Sequence, residues 1–353
     1  MLSKPFYDPA KSYEENLLEG PYGAFADGTI YQETTTPQQN FLGQKVFLPF
    51  GIPAGPLLNG KFCRAALDKG FDIVTYKTVR SKKHAVHPWP NVIPVEAGNH
   101  LTLEQAEQGL RAKETFSEPI AITNSFGVPS SDPDVWQPDF AATVQYAKEG
   151  QVVVGSFQGT NPGNVQGFID DYATTAKLLV EAGASVLEAN LSCPNEGTSN
   201  LLCFDAERVA HIVDAIKNTA PDIPLLLKIA YFREQNLFSK FMKTVGPLVE
   251  GLSMINTIGA PVRTSKGDPA LPGEGRLRSG ICGVPIKWAG LEMVTRAKEL
   301  REENNLSLTI VGVGGVTQPS DYFEYTKAGA DAVQSATGAM WNPYLAQEIK
   351  KQI

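Results

Sequence analysis

The segment SVLEANLSCPNEGTSN, residues 185–200, is the stretch from which the rest of the chain can be read. Val186 to Leu191 is an apolar run of strand length. It stops at Cys193-Pro194 and then turns small and polar, so a buried strand delivers a thiol to a loop. Pro194 stiffens that turn, and the carboxamides of Asn190 and Asn195 flank the sulfur so that both could face one planar, polar ligand. A lone free cysteine is more often buried, inert filler than a reactive group. Its place in a loop just past a strand, between two amides, favours proton chemistry on a heterocycle instead.

Working outward, the same kind of run recurs at VFLPFGIPAG (46–55), FDIVTYKT (71–78), PIAITNSFG (119–127), QVVVGSF (151–157), PLLLKIA (224–230), LSMINTI (252–258), LTIVGVGG (308–315) and ADAVQSAT (330–337). Amphipathic helical patterns at 168–183, 204–220 and 290–305 lie between them. Runs apolar on both faces and separated by such helices are the mark of a parallel sheet with helical crossovers. The α/β fold expected is therefore a (β/α)8 TIM barrel. Nine runs compete for eight places. The last two end in glycine-rich loops, where such barrels often hold phosphate, so they are taken as strands seven and eight. The surplus run is assigned to 119–127, inside an aperiodic, proline-rich excursion at about 79–150 that would fold over the barrel mouth. Residues 1–45 are read as an irregular N-terminal extension, and 46–353 as the barrel.

Composition narrows the function. The net charge of -7 lacks the basic face of a nucleic-acid binder. The four cysteines are far apart with no CxxC pair, which excludes a zinc or iron–sulfur site built within this chain. No stretch of 18 uncharged apolar residues occurs and the N-terminus lacks a signal-type apolar core, so a cytoplasmic protein without a membrane span is expected.

In a parallel barrel the strand ends converge on one face. Lys77 stands at the end of the second run and Lys228 inside LLLKIA, where a lysine amid aliphatic residues is costly to bury without an anionic or strongly accepting partner. For one such lysine a snorkelling side chain is the commoner explanation; two at strand ends are harder to dismiss. Asn124, Asn190, Asn195 and Asn256 also fall at or just past strand ends, although asparagine is disfavoured in strands. Together they form a ring of donors and acceptors suited to a flat amide- and imide-bearing ring. Asn124-Ser125-Phe126-Gly127 would add backbone N–H groups, with Gly127 allowing close approach. The loops Gly312–Gly315 and Ala336-Thr337-Gly338 suit a phosphorylated cofactor, and a loop at Ser279–Gly283 gives another point of close approach.

These residues resemble the dihydroorotate dehydrogenase family, FMN enzymes of pyrimidine synthesis. The likeness runs from about Phe47 to the C-terminus, with Asn190-Leu191-Ser192-Cys193-Pro194-Asn195 as its most specific motif. Cysteine rather than serine in that motif is similar to the cytosolic class 1 enzymes. The resemblance implies Cys193 as the base that removes a proton from C5 of dihydroorotate while a hydride passes from C6 to the flavin N5, with Lys77 and Lys228 as catalytic partners. For dihydroorotate or orotate it implies Lys77, Asn124, Gly127, Val128, Asn190, Asn195, Asn256 and Thr257. For FMN it implies Ala54, Gly55, Lys77, Thr78, Asn190, Lys228, Gly283, Gly314, Gly315, Ala336 and Thr337. No metal is implied. A homodimer, or an assembly with an electron-transfer subunit, follows from the same likeness. Two departures stand out. Residues 85–91, AVHPWPN, lack the arginine of the family's Gly-Asn-Pro-x-Pro-Arg segment, and the loop after Asn195 lacks the Val-Pro-Gly-Lys-Pro of fumarate-using members. The electron acceptor stays open. So do three rival readings: a dihydropyrimidine dehydrogenase-like FMN subunit, a flavin-binding barrel without catalysis, and an aldolase using Lys228.

Overall fold

The computed structural model describes residues 2–192 and 201–353. Eight parallel strands close into a barrel in sequential order: β1 (Phe50–Ile52), β2 (Ile73–Val79), β3 (Val152–Phe157), β4 (Leu187–Asn190), β5 (Leu225–Ile229), β6 (Gly251–Met254), β7 (Thr309–Val313) and β8 (Ala332–Gln334). Each strand leads to an outer helix: α1 (Gly60–Asp68), α2 (Pro133–Tyr146), α3 (Val165–Glu181), α4 (Ala206–Thr219), α5 (Gln235–Val245), α6 (Lys287–Glu303), α7 (Pro319–Ala328) and α8 (Leu345–Lys350). This is the (β/α)8 barrel expected from the alternating runs. Among the described residues no helix is long and apolar enough to cross a membrane.

Strand side chains alternate between faces, and here the alternation sorts them into two environments. Outward residues such as Leu187, Ala189, Leu225 and Leu227 pack against the helices. Ile73, Val152, Val154, Val186, Leu226, Val311, Val313 and Ala332 form a separate apolar plug inside the barrel, closed by Phe41 and Val46. Those two residues belong to an antiparallel hairpin, Gln39–Phe41 paired with Gln44–Val46.

The run 119–127 does stand outside the barrel. Ala121–Asn124 joins a five-stranded sheet in the order Val92–Pro94, Ala121–Asn124, Arg278–Gly283, Ile258–Arg263, Leu110–Arg111. Two insertions build this sheet, one between β2 and α2 and one between β6 and α6. Both leave from the carboxyl ends of barrel strands, so their sheet lies over the mouth.

Three expectations need correction. Residues 133–146, placed in the excursion, are a barrel helix that packs on α1, β3 and α3. Pro138 inside the helix and a mixed apolar pattern hide its periodicity. Ser279–Gly283 is not a loop but lies in the strand Arg278–Gly283, because its partners Ala121–Asn124 and Ile258–Pro261 are distant in sequence. The extension at 1–45 is not irregular throughout. Tyr13–Glu19 is a helix with a capping box, in which Ser12 accepts from Glu15 N–H and Glu15 accepts from Ser12 N–H.

The extension is held by buried partners. Lys69, 1% exposed, donates to the Asp27 carboxylate and to Thr29, including the Thr29 carbonyl at 3.0 Å. The Lys69 ammonium, and then the Thr29 N–H and hydroxyl, hold Asp27 down at about 2. A carboxyl depressed in the folded state stabilises above its unfolded pKa of about 4 and loses that contribution as pH falls towards 2. Because Asp27 is one-third exposed, solvent screening limits the effect. Asp27→Asn should therefore cost about 1 kcal/mol at pH 7, stranding part of the Lys69 charge. Denaturant titrations at pH 7 and pH 3 should show the gap to wild type narrowing at the lower pH.

Candidate active site

The inward positions above the apolar plug are polar. Thr75, Ser156, Glu188, Lys228, Ser253 and Gln334 are all buried, and they lie one alternation above Ile73, Val154, Val186, Leu226, Gly251 and Ala332 on their strands. Lys228 Nζ donates to Ser253 Oγ at 3.2 Å, Gln334 Nε2 to Thr75 Oγ1 at 3.1 Å, and Thr78 Oγ1 lies 3.0 Å from Ser156 Oγ. Glu188 hydrogen-bonds Ser156 and Ser253, while its Oε2 has no hydrogen-bond partner among the described residues. Burial pulls the Lys228 ammonium down, opposed by Glu188 and then by Cys282. It likewise pushes Glu188 up, against the pull of Lys228 and the two serines. An acid and a base thus share the buried interior just beneath the mouth.

Above this layer, the side chains expected from the sequence come from several strand ends. Lys77 and Thr78 are on β2, both buried, with Ala54 and Gly55 just past β1. Asn190 ends β4, and Asn256 and Thr257 follow β6. Asn256 Nδ2 donates to Ser192 Oγ at 2.7 Å, Ser192 Oγ to Asn190 Oδ1 at 2.9 Å, and Asn190 Nδ2 to Gln158 Oε1 at 2.8 Å. Tyr172 supports this relay by donating to the Asn190 carbonyl at 2.8 Å. The Asn190 amide is thus largely engaged within the protein, whereas Asn256 keeps its Oδ1 outside the relay. Cys193 and Asn195 lie outside the described residues.

The inserted sheet supplies the facing wall. Asn124 ends its strand and donates through Nδ2 to Cys282 Sγ at 3.0 Å. Burial pushes the Cys282 thiol up to about 12, so it stays protonated near neutral pH. Thr257 packs against Gly280, where an added Cβ would come within 2.6 Å of the Thr257 hydroxyl. Gly127 does adopt a left-handed φ of +78°, but the close approach it allows is to a neighbouring side chain, since a Cβ there would lie 2.5 Å from His87 Nε2. Val128 follows at φ +52°, a strained setting for a β-branched residue, and its carbonyl accepts from Arg80 Nε at 3.1 Å.

On the opposite rim the loops after β7 and β8 meet. Gly314 and Gly315 have φ of +131° and +69°, and a Cβ on Gly315 would lie 2.8 Å from the Lys287 backbone nitrogen. A Cβ on Gly338 would strike the Val316 carbonyl at 2.2 Å, which brings Ala336 and Thr337 beside the glycines. Gly283 closes the inserted strand at φ +95° against the Ile120 carbonyl. At Gly55 an added Cβ would meet nothing within 4 Å, so open space lies above β1.

The family model described as dihydroorotate dehydrogenase matches residues 37–353. The chain belongs to the dihydroorotate dehydrogenase family. The dihydroorotate dehydrogenase of Dictyostelium discoideum is 35% identical over 361 residues, covering 98% of this chain and 97% of its own. The quinone-type enzyme of Kocuria rhizophila is 27% identical, over 92% of this chain and 87% of its own. The NAD(+)-type B catalytic subunit of Bacillus pumilus is 30% identical over 52% of this chain and 57% of its own. A crystal structure of DHODH from Eimeria tenella in complex with ferulenol superposes with a TM-score of 0.70 at 19% identity, over 92% of this chain and 86% of that one, a likeness of fold alone. As a dihydroorotate dehydrogenase, the chain is an oxidoreductase acting on dihydroorotate, in a family generally dependent on flavin.

Residue-type reasoning did not single out Gln158, Ser192, Glu188, Cys282 or Arg276. The first three occupy inward or strand-end positions, so strict alternation counted from Val186 would have found Glu188. Cys282 and Arg276 reach the site only through the inserted sheet and carry no local signal.

Ser192→Ala removes the hydroxyl shared by Asn190 and Asn256. It is expected to raise the KM for dihydroorotate about tenfold, the loss of roughly one hydrogen bond's positioning. The thermal midpoint should fall by only about 2–4 °C, which steady-state kinetics and a melting curve check together.

Proposed function

We propose that this dihydroorotate dehydrogenase binds FMN across the carboxyl ends of β1, β2, β5, β7 and β8, and converts dihydroorotate to orotate with Cys193 as the base. The observation that carries the reading is a buried lysine, Lys228, set beneath an open rim whose far side is a cradle of left-handed and closely packed glycines. These residues fit a flat, phosphorylated cofactor. Gly314, Gly315, Ala336 and Thr337 would hold its phosphate through backbone N–H groups, Ala54 and Gly55 leave room for its ring, and Lys77, Thr78, Asn190, Lys228 and Gly283 would line that ring. FMN, when bound, supplies the acceptor for the hydride leaving C6 of the substrate.

The protein's own groups do the rest. Cys193, as thiolate, takes the proton from C5. Lys228, buried beneath the rim, would supply positive charge to the flavin ring when it is bound. Lys77, buried within β2, would help hold the pyrimidine over the cofactor. Asn124, Asn190, Asn195 and Asn256, with Thr257 and the backbone of Gly127 and Val128, bind the pyrimidine and its carboxylate. With one Nδ2 proton directed to Cys282 and the other amide's to Ser192, Asn124 and Asn256 present carbonyl oxygens that can accept from the ring N–H groups.

The test is an anaerobic titration of the purified flavoprotein with dihydroorotate, dihydrouracil and dihydrothymine. Bleaching of the flavin by dihydroorotate alone is the expected result, and bleaching only by an uncharged dihydropyrimidine would overturn the assignment. Cys193→Ala should slow single-turnover reduction by about 10²-fold or more while leaving the flavin bound. Gly315→Ala should do the reverse, lowering flavin content because its Cβ collides with the Lys287 backbone.

A further inference from the structure

Arg276 is a guanidinium buried to 3% exposure that the chemistry above does not use. It lies between the inserted strands Ile258–Arg263 and Arg278–Gly283, far in sequence from everything it touches except Pro272. It donates to the carbonyl of Pro88 at 2.7 Å, of Pro90 at 3.1 Å, of Ser125 at 2.8 Å and of Pro272, and to Ser125 Oγ at 3.3 Å. Among the described residues none of its partners is a carboxylate, so its charge is solvated by aligned carbonyl dipoles.

Two of these bonds end on Ser125, the neighbour of Asn124. Ser125 Oγ also lies 3.0 Å from His87 Nδ1, and the His87 ring fills the space at the Gly127 Cα. Burial and the adjacent Arg276 charge both lower the His87 pKa, keeping the ring neutral. A guanidinium, a serine hydroxyl and an imidazole therefore run in one chain along the turn from Asn124 to Val128. Asn91 completes the tie, donating to the carbonyls of His87 and Ser125 at 3.0 and 3.1 Å. The strained φ of Val128 needs surroundings that over-determine it. Arg80 holds that residue's carbonyl from the barrel side, and Arg276 holds the start of the turn from the inserted sheet.

We propose that Arg276 is the positioning residue of the pyrimidine site, clamping the Asn124–Val128 turn so that the Asn124 amide and the following backbone meet the substrate in a fixed geometry. Arg276 also reaches the carbonyls of Pro88 and Pro90, so it ties the segment 85–91 to the same turn from the other insertion. The assignment rests on the reading of Asn124–Val128 as substrate-binding. Lysine cannot substitute: it keeps the charge but has no planar fork to reach carbonyls in four directions.

The experiment measures orotate affinity, by its perturbation of the flavin spectrum, and steady-state kinetics for the wild-type holoenzyme and for Arg276→Lys, Arg276→Met and Ser125→Ala. Both Arg276 variants are expected to raise the orotate Kd and the dihydroorotate KM about tenfold or more. Their kcat at saturation should stay within about threefold and their flavin content should be unchanged, because all the residues assigned to the cofactor except Gly283 lie on or just past barrel strands. Ser125→Ala, which removes one acceptor and leaves the fold's charges in place, should move Kd and KM in the same direction by a smaller factor, and it carries the test if an Arg276 variant fails to fold. Wild-type Kd and KM in Arg276→Lys, or a lowered melting temperature with no change in either constant, would overturn the proposal. Failure of orotate to perturb the wild-type flavin would instead sink the underlying reading of the site.

Discussion

Everything about this site depends on the two-residue repeat of strands that are closed into a ring. Once Val186 and Leu226 face inward, Glu188 and Lys228 must also face inward, one step closer to the mouth. Closure leaves them no solvent and no alternative face. The lower interior therefore closes as an apolar plug, while the layer above it brings together an ammonium, a carboxyl and several hydroxyls, most of them hydrogen-bonded to one another and Glu188 Oε2 left without a partner among the described residues. Burying such a pair is weak as a source of stability. Its result here is an ammonium held in a fixed place beneath an open rim.

The barrel by itself supplies only half of the site. The other wall is a sheet assembled from two insertions about 150 residues apart in sequence, and its cohesion comes from ladder pairs and a few polar ties rather than from a large separate core. Asn124 and Cys282 meet because Asn124 is paired with Gly280 and Ile122 with Cys282. In such an arrangement a buried arginine binding several carbonyls gives the loops a fixed relation that short strands alone would not impose. The hairpin at Gln39–Val46 seals the plugged end away from the chemistry, whereas the helix at Tyr13–Glu19 braces the mouth side, with Tyr13 edge-on to Phe126 of the Asn124–Val128 turn.

Much of the architecture was legible because a parallel barrel writes itself into local pattern. Eight short runs apolar on both faces, helices of regular period between them, and glycine-rich ends on the last two runs lead to the same eight strands that close the ring, with 119–127 left outside. Helix α2 was missed because Pro138 interrupts the pattern on which periodicity depends. The strand at Arg278–Gly283 was missed because its glycines and serine read as a turn until partners are supplied. Lys77, Lys228 and the asparagines stood out because their chemistry is out of place where they occur. Arg276, flanked by Gly275 and Leu277 in an exposed-looking stretch, did not.

The sequence alone determined the elements whose information is local: the strand-and-helix alternation, the strand ends that must gather at one mouth, and the residue types able to hold a planar, phosphorylated cofactor. Tertiary structure alone decided which amides are engaged by neighbours, which wall faces the barrel, and which guanidinium ties Ser125 to the inserted sheet. The physical reason is range. Periodicity and turn chemistry act over a few residues, whereas the pairing of Ala121–Asn124 with Arg278–Gly283, and the burial of Arg276 against Ser125, are settled only when segments about 150 residues apart compete for the same hydrogen bonds.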